Sequence, residues 1–220
     1  MTCVVGIETE KGVYLGCESL GSNTFTSDNY HYSKIFQVGE MFFGISGSYR
    51  VAQALQYSLV VPERGESEDD EAFLAGKLVN HMRLTLDECG CLSQTSAEGT
   101  PSVQNMGEAS LILAYRDKIY LIQSDFSILR PKSGEICIGS GGYHAQASLF
   151  TSKNLDIPPE DRIKLALQCA SNYVISCNDD IRVIFIPNEE YEDELEESES
   201  VEEEKDTTEL ESIQLNLFEE

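Results

Sequence analysis

Residues 2–7 read TCVVGI and stand directly behind Met1. Aminopeptidases remove an initiator methionine readily when the next side chain is small, and removal would leave Thr2 with a hydroxyl and a free α-amine. Such an amine has a pKa of about 7.7–8.0, so a useful fraction is neutral near pH 7. A neutral amine can take the proton of its own residue's hydroxyl, which activates the oxygen as a nucleophile. Taken alone, Thr2 is better explained as the first residue of an edge strand. The neighbouring residues therefore decide between this interpretation and that of a nucleophile.

The chain after Thr2 predicts a β-hairpin. Two apolar runs, residues 4–7 and 13–18, flank a turn that ends at Gly12, which is free to adopt a positive φ. We expect this hairpin to return Glu18 to the neighbourhood of Thr2.

The remaining pattern predicts an α+β protein. Further strands are expected over residues 33–38, 41–48, 110–115, 118–124, 135–138 and 180–187, and helices over 49–59, 70–88, 143–153 and 159–176. Residues 89–107 are rich in Gly, Ser and Thr and are expected to form a loop. Two stacked antiparallel sheets, with a helix pair on each outer face, would bury all the apolar faces.

An ordered set of residues resembles the proteasome β subunits and the bacterial HslV-type peptidases. The set comprises Thr2, Gly12, Glu18, Ser19, Lys34, Ser46, Gly47 and Ser48. A second block, residues 136–147, reads ICIGSGGYHAQA and is similar to the HslV segment Ile-Gly-Ser-Gly-Gly-x-Tyr-Ala-Gln-Ala. The resemblance covers about residues 2–187 and is vague between about 60 and 107. It implies the four-layer α/β/β/α sandwich of N-terminal-nucleophile (Ntn) hydrolases.

The resemblance also implies a role for each site residue. Thr2 would be the nucleophile and its α-amine the general base, and the Lys34 ammonium would favour their deprotonated forms. The backbone N–H of Gly47 would stabilise the oxyanion, at about 3 kcal/mol per donor. Ser140 would hydrogen-bond the Thr2 amine. Without the family context, the glycines around Ser140 could be taken for a phosphate loop, but the Lys-Ser/Thr ending is missing.

Two positions depart from the family pattern. Glu18 stands where the family usually has Asp, so the partner of Lys34 is one methylene longer. Asn172 stands where the family often has Asp in its long C-terminal helix, and an amide carries no charge. We expect Glu18 and Asn172 to belong to the catalytic set. With these two departures, the expected enzyme is active but slow or specialised.

Composition excludes several other classes. The net charge is −24, which disfavours direct nucleic-acid binding, and no apolar run approaches the roughly 18 residues that span a membrane. The seven cysteines are an odd number within mostly apolar runs, which is typical of reduced thiols in a cytoplasmic protein. Cys89 and Cys91 have no second Cys or His pair at ligand spacing, so we expect neither a metal nor a cofactor.

The chain divides into an Ntn hydrolase domain, residues 1–187, and a tail, residues 188–220. The tail holds sixteen acidic residues and one basic residue, so we expect it to be disordered. Near its end stand Gln214, Leu215, Leu217 and Phe218. This Gln-Leu-x-Leu-Phe pattern resembles the peptide with which bacterial proteins dock on the DNA sliding clamp, although an amphipathic segment that packs back on the body is the alternative.

The resemblance predicts a threonine-type peptidase that hydrolyses polypeptides inside a ring of identical subunits. An AAA+ unfoldase partner is implied by analogy with HslV. Two alternatives remain at this point: a catalytically inactive ring or scaffold subunit, and an Ntn amidase that acts on a small molecule.

Overall fold

The computed structural model describes residues 2–22, 27–95 and 103–193. In chain order its strands are β1 (Val4–Thr9), β2 (Gly12–Glu18), β3 (Leu20–Ser22), β4 (Ser27–Asn29), β5 (Ile35–Val38), β6 (Met41–Ser46), β7 (Ser93–Thr95), β8 (Val103–Asn105), β9 (Ser110–Tyr115), β10 (Lys118–Ile122), β11 (Ile128–Leu129), β12 (Glu135–Ile138) and β13 (Ile181–Pro187). The helices are α1 (Tyr49–Ser58), α2 (Asp70–Phe73), α3 (Val79–Glu88), α4 (Gly142–Ser152) and α5 (Pro159–Tyr173), and a π-helical turn, Leu74–Leu78, joins α2 to α3.

The first large sheet contains the predicted hairpin. Its strand order is β12-β1-β2-β13, and all its pairings are antiparallel. The turn between β1 and β2 closes where Thr9 pairs with Gly12, whose φ is +142°. This register aligns Val4 with Cys17, so Glu18 at the end of β2 lies beside the start of β1.

The second large sheet has the order β11-β10-β9-β6-β5 and is also antiparallel. Lys34 precedes its edge strand β5, and Ser46 ends the next strand, β6. Two short hairpins, β3-β4 and β7-β8, lie apart from both large sheets.

The alternation of side chains along β1 shows how the layers form. Val4 packs between the two sheets in one apolar cluster with Leu15 and Ile112. Val5, its neighbour, points to the other face and packs in a second cluster that includes Leu167 of α5. A third cluster buries helices α1, α2 and α3 against the second sheet. The predicted four-layer α/β/β/α order is therefore confirmed.

Local chemistry explains where the helices begin. Ser48 caps α1, because its hydroxyl accepts from the backbone N–H of Arg50. Asp69 caps α2 in the same way. Helix α5 starts at Pro159, followed by two acidic residues in its first turn, which suit the positive end of a helix dipole.

Three segments differ from the sequence prediction. The expected loop over 89–107 contains the hairpin β7-β8. Its short strands are mostly polar and lack the alternation of apolar residues that would predict a strand. The expected helix over 70–88 has the π-helical turn in its middle. Residues 189–193, expected to be disordered, form a helical turn in which Asn188 Oδ1 accepts from the Tyr191 N–H.

Within the described residues, every helix is too short or too polar to cross a lipid bilayer.

Candidate active site

Thr2 stands two residues before the start of β1, the strand that lies between β12 and β2 in the first sheet. The register of Val4 with Ile138 on one side and Cys17 on the other places Thr2 beside the loop that follows β12 and near Glu18. Its backbone nitrogen donates to Ser140 Oγ at 3.1 Å, and its carbonyl oxygen accepts from the Gly141 N–H at 3.2 Å. The residue is 5% exposed.

Gly139 allows the chain to pass this close to Thr2. Its φ is +89°, a conformation that L side chains rarely adopt, and a Cβ added there would lie 2.1 Å from the Thr2 carbonyl oxygen. Any larger residue at 139 would push the terminal segment away from Ser140.

Glu18 and Lys34 form a buried ion pair beside the terminal segment. Lys34 Nζ donates to Glu18 Oε1 and also to the Leu20 carbonyl oxygen at 2.7 Å. The two side chains are 2% and 0% exposed. A buried pair of this kind pays a large desolvation cost, so it is weak evidence for stability.

The same carboxylate also binds the backbone around Thr2. Glu18 Oε1 accepts from the Cys3 N–H at 3.1 Å, and Oε2 accepts from the Leu20 N–H at 2.8 Å. Glu18 therefore links the ammonium of Lys34 to the residue that follows Thr2. Its extra methylene, relative to the usual Asp, is compatible with all three interactions.

Gly47 stands between the end of β6 and the start of α1. Its φ is +109°, and a Cβ there would lie 2.7 Å from the Ala109 Cα. Only glycine fits this position without moving the backbone. The strand-to-helix junction thus keeps a side-chain-free surface near the site.

Ser176 belongs to the site and was missed by the sequence analysis. It follows α5, it is 1% exposed, and its Oγ lies 3.0 Å from Ser140 Oγ. A hydrogen-bonded chain therefore runs from Ser176 through Ser140 to the Thr2 nitrogen. No periodicity or motif marks a serine in this turn, so the sequence offers no signal for it.

The prediction for Asn172 is not supported by the structure. Its side chain is exposed, and its amide donates to the Gln168 carbonyl oxygen of its own helix at 3.0 Å. The buried stripe of α5 includes Ala170, and a residue two positions later is rotated by about 200° around the helix axis. The helical period could have excluded Asn172.

A polar cluster holds the loop of Ser176 near β3 and β4. Ser19 Oγ donates to Asp180 Oδ2 at 2.6 Å, and the Ser19 N–H donates to Asn178 Oδ1 at 3.3 Å. The Asn178 amide in turn donates to Asn29 Oδ1 at 2.7 Å. These bonds connect the two segments that flank the Thr2 end of the hairpin.

Several buried thiols surround the site. Burial raises the pKa of Cys17 and of Cys177 to about 11, and it raises the pKa of Cys3 strongly. The Lys34 charge acts in the opposite direction on all three pKa values, with a smaller effect. These thiols are therefore protonated near pH 7 and do not compete with a hydroxyl nucleophile.

In the described part of the chain, no group of three or more His, Cys, Asp and Glu side chains is placed to hold a metal ion.

No protein-family profile matches the chain. It is 32% identical over 80 residues to the ATP-dependent protease subunit HslV of Petrotoga mobilis, which is 36% of this chain and 45% of that protein. It is also 32% identical over 84 residues to HslV of Campylobacter jejuni, which is 37% of this chain and 47% of that protein. The chain spans less than half the length of these curated relatives.

Solved structures match over most of the chain. Thiobacillus denitrificans BPH has a TM-score of 0.69 at 15% identity, over 84% of this chain and 98% of that chain, and it has also been solved in complex with epoxomicin. Eukaryotic HslV from Trypanosoma brucei has a TM-score of 0.60 at 18% identity, over 85% and 100% of the two chains. At these identities the matches establish a shared fold. Together with the HslV relatives, they confirm the predicted resemblance to the HslV and proteasome-like Ntn hydrolases.

Proposed function

Because the chain has the fold of the HslV and proteasome-like Ntn hydrolases, we propose that it is a threonine-type peptidase whose nucleophile is Thr2 after removal of Met1. The observation that carries this proposal is the position of Glu18. One carboxylate binds both the Lys34 ammonium and the Cys3 N–H, so a buried cation is held beside the terminal residue.

Activation of Thr2 begins with its α-amine. In the mature chain this nitrogen would be a primary amine held by Ser140, itself paired with Ser176. The amine takes the proton of the Thr2 hydroxyl as the oxygen attacks a peptide carbonyl. The nearby charge of Lys34 favours the deprotonated forms of the hydroxyl and the amine.

Attack forms a C–O bond, and the carbonyl electrons move onto the oxygen. The Gly47 N–H stabilises this oxyanion. The amine then returns its proton to the leaving nitrogen as the C–N bond breaks, which gives an ester on Thr2 and a free peptide amine. A water molecule attacks the ester by the same route, so one peptide bond is hydrolysed and Thr2 is regenerated.

We further propose that the chain assembles into a ring of identical subunits and receives polypeptide from an AAA+ unfoldase. The support is the resemblance to HslV, whose curated name describes an ATP-dependent protease subunit. A ring would place the Thr2 sites inside a chamber and restrict them to unfolded chains.

Mass spectrometry tests the proposal. The full chain is expected to lack Met1, to form a closed ring by native mass, and to gain one adduct on Thr2 when treated with epoxomicin, the compound present in the BPH complex. The Thr2→Ala variant is the matched control, expected to assemble but to gain no adduct. An unmodified wild-type chain that lacks Met1 and is fully folded would contradict the peptidase proposal.

The two alternatives have different outcomes in the same measurements. An inactive scaffold would form rings without an adduct, whether or not Met1 remains. A small-molecule amidase would react at Thr2 but form only a small oligomer.

The terminal peptide supports a second proposal, docking on a DNA sliding clamp. Gln214, Leu215, Leu217 and Phe218 lie outside the residues that the structure describes, so the support is the motif itself and its place near the end of an acidic tail. Pull-down with purified clamp by the full chain, but not by the Leu217→Ala, Phe218→Ala variant, is the expected result. No capture by the intact chain would end this proposal.

A further inference from the structure

A cleft of about 630 Å³ opens directly beside the Thr2 site. Two of its lining residues adjoin residues of the site. A Cβ added at Gly139 would lie 2.1 Å from the Thr2 carbonyl oxygen, and a Cβ added at Gly47 would lie 2.7 Å from the Ala109 Cα. A substrate held at Thr2 and Gly47 would therefore have this cleft next to its scissile bond.

The cleft continues into a second, smaller pocket of about 310 Å³. The two share Leu121, Cys137 and Gln146. The smaller pocket adds two apolar residues and two charged ones to its wall: Leu129, Ile136, Arg130 and Glu135. Together they form one groove, which we call the edge groove, that leads away from Thr2 between β10 and β12.

The edge groove runs along a strand that can accept a partner. Strand β12 is at the edge of its sheet and, among the described residues, pairs only with β1. The outer side of an edge strand offers backbone N–H and C=O groups to an extended peptide. The groove therefore suits a polypeptide in an extended conformation better than a compact small molecule.

The charge of the groove near Thr2 is negative. Glu108 and Asp125 are exposed and line the larger cleft, and no lysine or arginine is among the described residues that line it. The hydroxyl and the N–H of Ser127 both donate to Asp125, which lowers the pKa of that carboxyl. Asp125 is thus ionised at neutral pH, and a cation in the cleft would meet two carboxylates.

We propose that the edge groove binds an extended segment of the polypeptide substrate next to the scissile bond, with Glu108 and Asp125 in the larger cleft recognising one Lys or Arg side chain. This inference rests on the proposed peptidase function, since it names the substrate class of the same site. It also assigns the apolar part of the groove, at Leu129 and Ile136, to side chains further along the bound segment.

The test measures binding and hydrolysis separately. Fluorescent peptides of one sequence, with Lys, Gln or Glu at each of the three positions on either side of the scissile bond, are bound to the full-length Thr2→Ala chain and their Kd values are read by anisotropy. The same peptides are given to the wild type for kcat/KM. At one position, Lys is expected to be preferred over Glu by about tenfold, the size expected for close charges in a solvated cleft.

The variant Glu108→Gln, Asp125→Asn is expected to lose this preference, so that its Kd and kcat/KM no longer distinguish the Lys peptide from the Glu peptide. Asparagine retains the oxygen that accepts from Ser127, and Glu108→Gln alone serves as a second variant at an exposed position. The matched control is Glu66→Gln, Asp156→Asn, which changes the net charge equally at exposed residues outside the groove. The control is expected to keep the preference.

The outcomes separate the two proposals. A preference that is absent in the wild type, unchanged in the Glu108, Asp125 variant, or reduced equally in the control would overturn the inference, even if hydrolysis at Thr2 is normal. Selective binding of the Lys peptide without any hydrolysis would support the inference about the edge groove but would contradict the peptidase proposal.

Discussion

The two ends of the β1–β2 hairpin each carry a glutamate that binds one cation and one or more backbone N–H groups, yet the two environments are opposite. At the turn end, Glu8 accepts from Arg130 at 2.8 Å and from the Ile119 N–H at 3.2 Å. At the Thr2 end, Glu18 accepts from Lys34 and from the Cys3 and Leu20 N–H groups. The first pair is 38% and 21% exposed, and the second is 2% and 0% exposed.

The two pairs therefore differ in what they contribute to stability: one is a guanidinium–carboxylate pair at the surface, and the other is an ammonium–carboxylate pair in the interior. An exposed pair gains little because water and salt screen it, typically about 0–1 kcal/mol. A buried pair costs several kcal/mol to desolvate, and apolar residues often replace it without loss of stability. The pair that is costly to desolvate lies next to Thr2, and the exposed pair lies at the turn.

The largest effect is expected from Lys34→Ala. It leaves Glu18 as an uncompensated buried charge, so the free energy of unfolding should fall by about 3–5 kcal/mol. The rate of epoxomicin adduct formation on Thr2 should fall by about a thousandfold or more, as expected when the cation that assists the nucleophile is lost. Urea unfolding and intact mass measure the two quantities.

A double variant separates stability from function. Glu18→Gln, Lys34→Met removes both charges and should recover most of the lost stability, since no buried charge is left unpaired. It should not recover the reaction of Thr2. Normal adduct formation by this variant would show that the ion pair is only structural.

The alkylation rates of the thiols at the Thr2 end measure how well that end excludes water. Burial raises the pKa of Cys17 and Cys177 to about 11, so the neutral thiol predominates at pH 8 and the thiolate fraction grows only as the pH approaches 11. Alkylation of the folded chain at pH 8 should therefore be more than about a hundredfold slower at these residues than for a model thiol with a pKa of about 8.5.

Peptide mapping after timed exposure to iodoacetamide gives the rates, with the urea-unfolded chain as the reference. Equal rates in the folded and unfolded chains would mean that the Thr2 end is open to solvent, and the contrast with the turn end would disappear.

Gly139→Ala sharpens the comparison at the backbone. The added Cβ would lie 2.1 Å from the Thr2 carbonyl oxygen, at a φ that disfavours alanine, so the free energy of unfolding should fall by about 3 kcal/mol. Gly76→Ala is the control, because nothing lies within 4 Å of its added Cβ. That change sits in a helical run and should raise stability by about 0.5–1 kcal/mol. Thermal melts measure the stability of both variants. An equal loss of stability in the two would show that the close approach of Gly139 to Thr2 does not matter.

The smallest effect is expected from Arg130→Ala at the turn end. Its exposed pair with Glu8 should contribute no more than about 1 kcal/mol to the free energy of unfolding. The same urea measurement applies. A loss as large as that of Lys34→Ala would show that burial does not distinguish the two pairs.

Much of the fold could be predicted because its signals are local. Alternating apolar residues mark β1 and β2, and Gly12 marks the turn between them, within a window of about fifteen residues. The hairpin β7-β8 was not predicted, because its short polar strands carry no alternation and are read as loop. The helical turn at 189–193 was hidden by its acidic composition, although Asn188 supplies a cap.

The candidate site was predictable only in part. Thr2, Glu18, Lys34, Gly47 and Ser140 were chosen through a family resemblance, and the fold brings the polar groups of Glu18, Lys34 and Ser140 to the Thr2 segment. The prediction for Asn172 was wrong because a residue two positions after Ala170 faces away from the buried side of α5.

The sequence by itself determined the order of strands and helices along the chain, the position of Thr2 and the acidic tail. Each of these depends only on neighbouring residues. The meeting of Thr2 with Ser140, 138 positions away, and of Ser140 with Ser176 depends on how two sheets and a helix pair pack. So does the burial that makes Lys34–Glu18 different from Arg130–Glu8. Solvent exclusion is a property of the packed interior, and no short stretch of residues contains it.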